Sequence, residues 1–529
     1  MSYLKGNSVL RATGFLSAIA LTALTACGDS QTQENASEQT LPVAQTETTN
    51  EPLADADIAT AISGELSIAR GIPYSEIDVE VNNGIVTLSG SVNNILAKDR
   101  TERIASMVRG VRSIVNTIEV VPSGRSDTQI TTDVLAALAA DPATEGWQID
   151  PVVTDGIVTL TGTADSWQEK QLATKVVKGV TGVRGVENNI TVSYDVTRSE
   201  TEIQEEIEQK LQWDARVDAA LIDVSVEDDT AILSGTVGSA YEKSMATADA
   251  YVVGVQSVET EPLEVEWWAR DEMTRKEIYV DKTDSEIQDA VSDALLYDPR
   301  VANFNVDVAV DEGRVTLTGE VDNPKAKQAA AQDASNTAGV WKVENNLTVI
   351  SETERPSSEV ATNVNEALQR DPYLEPEDVN VSAEDGVVTL TGEVESYFEK
   401  WQASDVALRA QGVVAVDNNL AVDYEPLDYD TSFYDWDPTL YDYDYEIESK
   451  SDAAIADDLQ DEIFWSPYVE PEEVSFTVED GVATLTGAVD TWYERTRATE
   501  EAYEAGAVAV VNGIQVEEGS DLEAEAPAP

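Results

Sequence analysis

The sequence predicts an α+β protein built from six tandem αββαβ modules, each a three-stranded mixed sheet with two helices on one face. Three observations carry the prediction. A phrase of the form Gly-x-Val-Thr-Leu-x-Gly recurs six times with small variations. An apolar stripe with helical spacing precedes each copy, and a short run of alternating apolar residues joins stripe to phrase.

Each module opens on a helix. Apolar residues at i, i+4 and i+8 form the triplets Ile58/Ile62/Leu66, Ile130/Val134/Leu138, Ile203/Ile207/Leu211, Ile287/Val291/Leu295, Val360/Val364/Leu368 and Ile455/Leu459/Ile463. That spacing lays one apolar stripe along about three turns. Ser199-Glu200-Thr201-Glu202 and Thr283-Asp284-Ser285-Glu286 have the form of capping boxes at two of the starts.

Alternating pairs such as Val79/Val81, Val224/Val226, Val379/Val381 and Phe476/Val478 come next. They run into the phrases Gly84 to Gly90, Gly156 to Gly162, Asp229 to Gly235, Gly313 to Gly319, Gly386 to Gly392 and Gly481 to Gly487. Alternation broken by a turn residue predicts a β-hairpin with one buried face. The first glycine supplies the turn, and Asp229, its replacement in the third copy, also tolerates left-handed dihedrals. The closing glycines Gly90, Gly162, Gly235, Gly319, Gly392 and Gly487 are read as structural, each ending its strand.

A second helix then closes on Gly-Val, as at Gly110, Gly182, Gly339 and Gly412, and leads to a last strand such as Val186 to Val192. Covering one face of the three strands with the two helices buries both apolar faces. The modules span 53–121, 126–194, 198–266 (degenerate), 283–350, 356–424 and 451–517, and read as independent beads. Residues 267–282 and 425–449 connect them, and 518–529 form an acidic tail.

The composition narrows function. With 33 Lys plus Arg against 102 Asp plus Glu, the formal charge is −69. Phosphate neutralisation needs a basic surface, so nucleic acid is not an expected partner. Without any His, histidine triads, ligands and pH switches are absent, and one Cys allows neither an internal disulfide nor a CxxC site. No catalytic constellation, cofactor site or metal site is expected, and the protein is read as not an enzyme.

Residues 1–26 resemble a bacterial lipoprotein signal peptide: Lys5 and Arg11, an apolar run from Gly14 to Leu24, then Leu24-Thr25-Ala26-Cys27 in the manner of a lipobox. The resemblance implies acylation of Cys27, a membrane anchor and, with Gly28 following, an outer-membrane lipoprotein facing the periplasm. Residues 27–52 are polar and read as a flexible tether.

The repeated Gly-x-Val-Thr-Leu-x-Gly hairpin, the Gly-Val before the last strand and endings such as Val186-Glu187-Asn188-Asn189-Ile190-Thr191-Val192 resemble the BON domain family. The resemblance covers most of the chain after Cys27. It implies an αββαβ fold, no catalytic residues, and a link to envelope integrity, osmotic stress and phospholipid contact.

Two sets of residues are candidates for binding. Trp167, Tyr241, Tyr397, Phe398, Trp492 and Tyr493 open the second helices, with Lys170 and Lys400 one turn on. At a membrane they would meet lipid headgroups; alternatively each ring packs over its own sheet. The acidic aromatic stretch from Asp428 to Glu448 lacks the spacing of a calcium loop and reads as a linker. The expectation is a tethered envelope scaffold contacting phospholipid or envelope proteins. The alternative is a periplasmic stress protector that holds client proteins as a chaperone does.

Overall fold

The computed structural model describes residues 53–516, without 423–451, most of 267–281 and several shorter stretches and single positions, among them 195–197, 351–354 and 375–378. Cys27, the signal, the tether, the acidic aromatic connector and the tail lie outside the described residues. Those described form six modules with the order helix, strand, strand, helix, strand.

The first helices are Asp55–Ile68, Asp127–Ala140, Glu200–Trp213, Asp284–Tyr297, Ser357–Arg370 and Asp452–Trp465, each of 14 residues. Every triplet residue is buried, the most exposed being Leu138 at 7%. Burying three such side chains contributes at most roughly 5 to 9 kcal/mol per helix. The boxes at Ser199 and Thr283 form as expected, and a third forms between Ser126 and Gln129.

In each hairpin a six-residue strand pairs antiparallel with an eight-residue one; in module two Ile149 faces Gly162 and Thr154 faces Ile157. The turns place two residues in the left-handed region, Asn83 and Gly84 at φ 52° and 72° and, in the third copy, Asp228 and Asp229 at 48° and 61°. Turns of that hand match the twist of the strands. The closing glycine does not end its strand. Ile157–Ala164 runs two residues past Gly162, and the glycine marks where the carbonyl just before the first strand crosses close: a Cβ on Gly162 would lie 2.4 Å from the Gln148 carbonyl oxygen.

The second helix carries the chain back so that the last strand joins the long strand in parallel, Ile157 beside Gly185 through Ala164 beside Val192. The long strand is therefore central in a mixed sheet. Modules one, three and six interrupt the last strand, as in Ser113–Asn116 followed by Glu119–Val120. Both helices lie on one face, and the other face presents exposed acids such as Asp78 and Glu80.

The modules are not separate beads. Modules one and two have one continuous core, against which Ala240, Tyr373 and Trp465 of modules three, five and six pack. Three head-to-tail contacts close modules one to three into a ring. Arg184 Nε donates to the Val120 carbonyl at 3.0 Å, Arg112 Nε to the Val265 carbonyl at 3.1 Å, and Tyr194 Oη to the Val255 carbonyl at 3.3 Å. A heterologous contact repeated this way either closes or grows without limit, and here it closes.

A second contact pairs the first half of the chain with the second, in nested order. The amide before the Gly-Val turn donates to the last carbonyl of a partner module's first helix. Arg109 N donates to Trp465 O at 3.2 Å, Thr181 N to Arg370 O at 2.8 Å, and Ala338 N to Trp213 O at 2.8 Å. These bonds join modules one to six, two to five and three to four, and each satisfies a carbonyl that a helix end leaves open.

Candidate functional site

Most residues of the repeated motifs hold the module together. In module two, Asn188 Nδ2 donates to the Lys170 carbonyl at 2.6 Å and to Thr174 Oγ1 at 2.7 Å, and Asn188 Oδ1 accepts from Ile190 N at 3.1 Å. Asn345, Asn418 and Asn512 make the matching bond to Lys327, Lys400 and Arg495. The first Asn of the pair thus ties the last strand to the second helix. Sequence reading had not assigned that role, nor that of the acid opening the first helix. Asp127 accepts from the hairpin-turn amides of Asp155 and Gly156 at 3.0 Å each, and Asp55 and Asp284 do the same in modules one and four. Recurrence of an acid 29 residues before the turn glycine was the signal that could have found it.

The candidate rings converge rather than facing outward one by one. Trp167, Tyr241 and Phe398, from modules two, three and five, line one cavity of about 1100 Å³. Trp167 stacks on Tyr251 of module three with centroids 4.4 Å apart, and Gln168 Nε2 donates to the Tyr251 carbonyl. Phe398 is 4% exposed, edge-on to Tyr373 at 4.8 Å, with Arg100 of module one 5.1 Å from its centroid. Burial lowers the ammonium pKa of Lys400. Lys170, Tyr241 and Tyr493 are half-buried, while the side chains of Tyr397 and Trp492 lie outside the described residues.

The cavity wall differs from the rest of the chain in charge. It holds ten of the 33 basic residues and twelve of the 102 acids, so it is almost balanced inside a protein of charge −69. Some of these charges pair between modules: Lys178 Nζ lies 2.6 Å from Asp99 Oδ2, and Asp405 Oδ1 lies 2.7 Å from Nζ of Lys325, which stands outside the wall. Burial raises the Asp371 carboxyl to about 6, although Tyr373 N and Gln402 donate to it. Among the described residues no group of three or more acids or cysteines is placed to hold a metal ion. None of the described helices is long and apolar enough to cross a membrane.

Geometry of this kind defines a class: a multi-module α+β protein whose repeated residues serve the fold. The BON domain model matches residues 54–122, 126–194, 199–266, 283–351, 356–424 and 451–518, and the chain belongs to that family. It is similar to osmotically-inducible protein Y of Escherichia coli (strain K12), 28% identical over 197 residues, which is 36% of this chain and 98% of that protein. Among solved structures, CdsD, a structural protein of the type III secretion system of Chlamydia trachomatis, is 15% identical over 39% of this chain and 91% of that one, with a TM-score of 0.11. Its C-terminal domain is 17% identical over 45% and 100%, also with a TM-score of 0.11. Scores that low say nothing of how the modules are arranged.

Proposed function

We propose that the protein is a non-enzymatic scaffold of the bacterial cell envelope that supports tolerance of osmotic stress, held to the outer membrane through Cys27 and contacting phospholipid or envelope proteins. The observation that carries the reading is the repetition itself. Most of the six copies commit their recurrent Asn and Asp residues to structure, which supports recognition by surfaces rather than by a repeated catalytic motif. The osmotically inducible relative supports the link to stress.

Charge sets the form of any lipid contact. With ten cations facing the cavity, the outer surface is more acidic than the composition alone implies. Anionic headgroups are then repelled unless divalent cations bridge them, within a Debye length of about 10 Å at 0.1 M salt. Co-sedimentation with neutral and anionic liposomes, each with and without Mg²⁺, tests this. Binding to anionic vesicles only with Mg²⁺ is expected, and indifference to all four conditions removes the lipid contact.

One observation favours the alternative, a stress protector that holds client proteins. Trp167 and Phe398 are engaged in contacts between modules. That reading predicts suppression of client aggregation at high salt by a Cys27→Ser chain as well as by wild type. Metabolic acyl labelling and fractionation of the same pair tests the anchor: label and outer-membrane location should be lost together.

A further inference from the structure

Between modules three and four the chain gathers four carboxyl groups and two guanidinium groups along the cavity wall in a near-twofold arrangement, Asp214 and Asp249 buried and the other four half-buried. Asp214 follows the first helix of module three, and Asp298 follows that of module four. Arg216 Nη2 and Nε lie 2.6 and 2.8 Å from Asp214, and Arg300 Nη2 and Nε lie 2.6 and 3.1 Å from its Oδ2 and Oδ1 counterparts on Asp298. The second helix of each module adds another acid, Asp249 beside Asp214 and Asp333 beside Asp298. Asp214 and Asp249 are each 7% exposed, and Oδ2 of Asp249 and of Asp333 are buried without a hydrogen-bond partner among the described residues. The seam itself is an antiparallel bridge of Asp214 with Thr337, flanked by Ala215 N to Asn336 O at 2.9 Å and Ala338 N to Trp213 O at 2.8 Å.

We propose that this seam is a proton-operated latch between modules three and four: it stays shut while Asp249 and Asp333 hold protons, and their ionisation as pH rises loosens it. Asp214 with Arg216 and Asp298 with Arg300 are already balanced pairs. A second carboxylate beside each pair, its Oδ2 buried without a hydrogen bond among the described residues, meets one further cation in Lys210, 3.8 Å from Asp249. Arg216 also reaches across the seam toward Asp333, so the two halves of the cluster act on one another.

The electrostatics have the sign the geometry requires. Burial first, then the negative Asp214, pushes Asp249 well above the usual carboxylate range; burial and Asp298 do the same for Asp333. Burial opposes ionisation of Asp214 too, but Arg216 holds it below its ordinary value. Acids whose pKa is higher in the shut form bind more protons there, so the shut form is favoured at low pH and weakens as pH rises through the raised values. Lys282, over the Trp213 ring at 3.5 Å, acts oppositely: burial lowers it to about 8, and losing its proton relieves the shut form.

The test is hydrogen exchange of the Ala215 and Ala338 amides in the full chain, as protection factors from the ordinary carboxylate range upward across the pH range in which the chain stays folded, for wild type and D249N/D333N. In wild type, protection should fall by up to about tenfold per pH unit for each group while it titrates. The double variant, with neutral amides in place of the two acids, should stay flat or rise slightly through Lys282. An equal fall in both chains overturns the latch, as does constant protection in wild type. If the double variant does not fold, wild type alone decides. Arg109 N, at the seam of modules one and six, should keep its protection, and a parallel loss there would mean general unfolding and overturn the proposal.

Discussion

Phe398→Ala is the sharpest probe of how the modules are put together. The ring is 4% exposed, and its neighbours on one side belong to module one: Arg100 stands 5.1 Å from its centroid, and a Cβ on Gly71 would lie 2.9 Å from its edge. Truncating a buried Phe costs about 3 to 5 kcal/mol, a total that includes the edge-on contact with Tyr373 and the guanidinium above the ring. Because Phe398 lies outside the apolar core cluster of module five, most of the loss should fall on the contact with module one. A loss of about 4 kcal/mol shifts the ratio of joined to parted modules by roughly a thousandfold. Exchange measured by mass spectrometry should show faster labelling around Gly71 and Arg100 with module five's hairpin still protected. If exchange in module one is unchanged while liposome binding drops, Phe398 is a lipid contact and the packing argument fails.

Three further outcomes follow from the same geometry. Asn188→Ala should destabilise module two by about 1 to 3 kcal/mol in urea unfolding, since it removes the acceptor of the Ile190 amide and one of the donors to the Lys170 carbonyl and Thr174 hydroxyl, whereas exposed Asn189→Ala should change little. Gly319→Ala introduces a Cβ 2.4 Å from the Asn305 carbonyl at φ 129°, and should cost module four about 2 to 4 kcal/mol and, through Ala338, weaken its seam with module three. Asp371, raised to about 6 by burial, binds its proton more tightly folded than unfolded; stability should fall by about 3 kcal/mol between about pH 4 and about pH 6, and D371N should flatten that slope in urea midpoints taken across the range.

The module was legible because its information is local and repeated. The stripe from Ile130 to Leu138, the alternation around the hairpin and the turn at Gly156 each lie within a dozen or so residues, and six copies separate signal from accident. The closing glycine was recognised as structural but misplaced at a strand end. Its positive φ answers a carbonyl at the entry to the neighbouring strand, such as that of Gln148 against Gly162, and no local pattern reveals an approach of that kind. The candidate rings were found for a similar reason and only half understood: Trp167 and Phe398 recur at helix starts, yet their partners Tyr251 and Arg100 lie in other modules.

The sequence by itself determined the order of elements, the count of modules, the buried triplets and the overall negative charge, because periodicity, turn chemistry and composition act over short stretches of chain. Tertiary structure alone decided that modules one to three close into a ring, that the modules pair in nested order, and that about a third of the cations line the cavity. Those contacts use backbone amides and carbonyls, such as Thr181 N with Arg370 O, which every residue carries and no side-chain pattern announces. The acids Asp249 and Asp333 illustrate the same division. In the sequence they are two among 102, and only burial beside Asp214 and Asp298 makes them different from the rest.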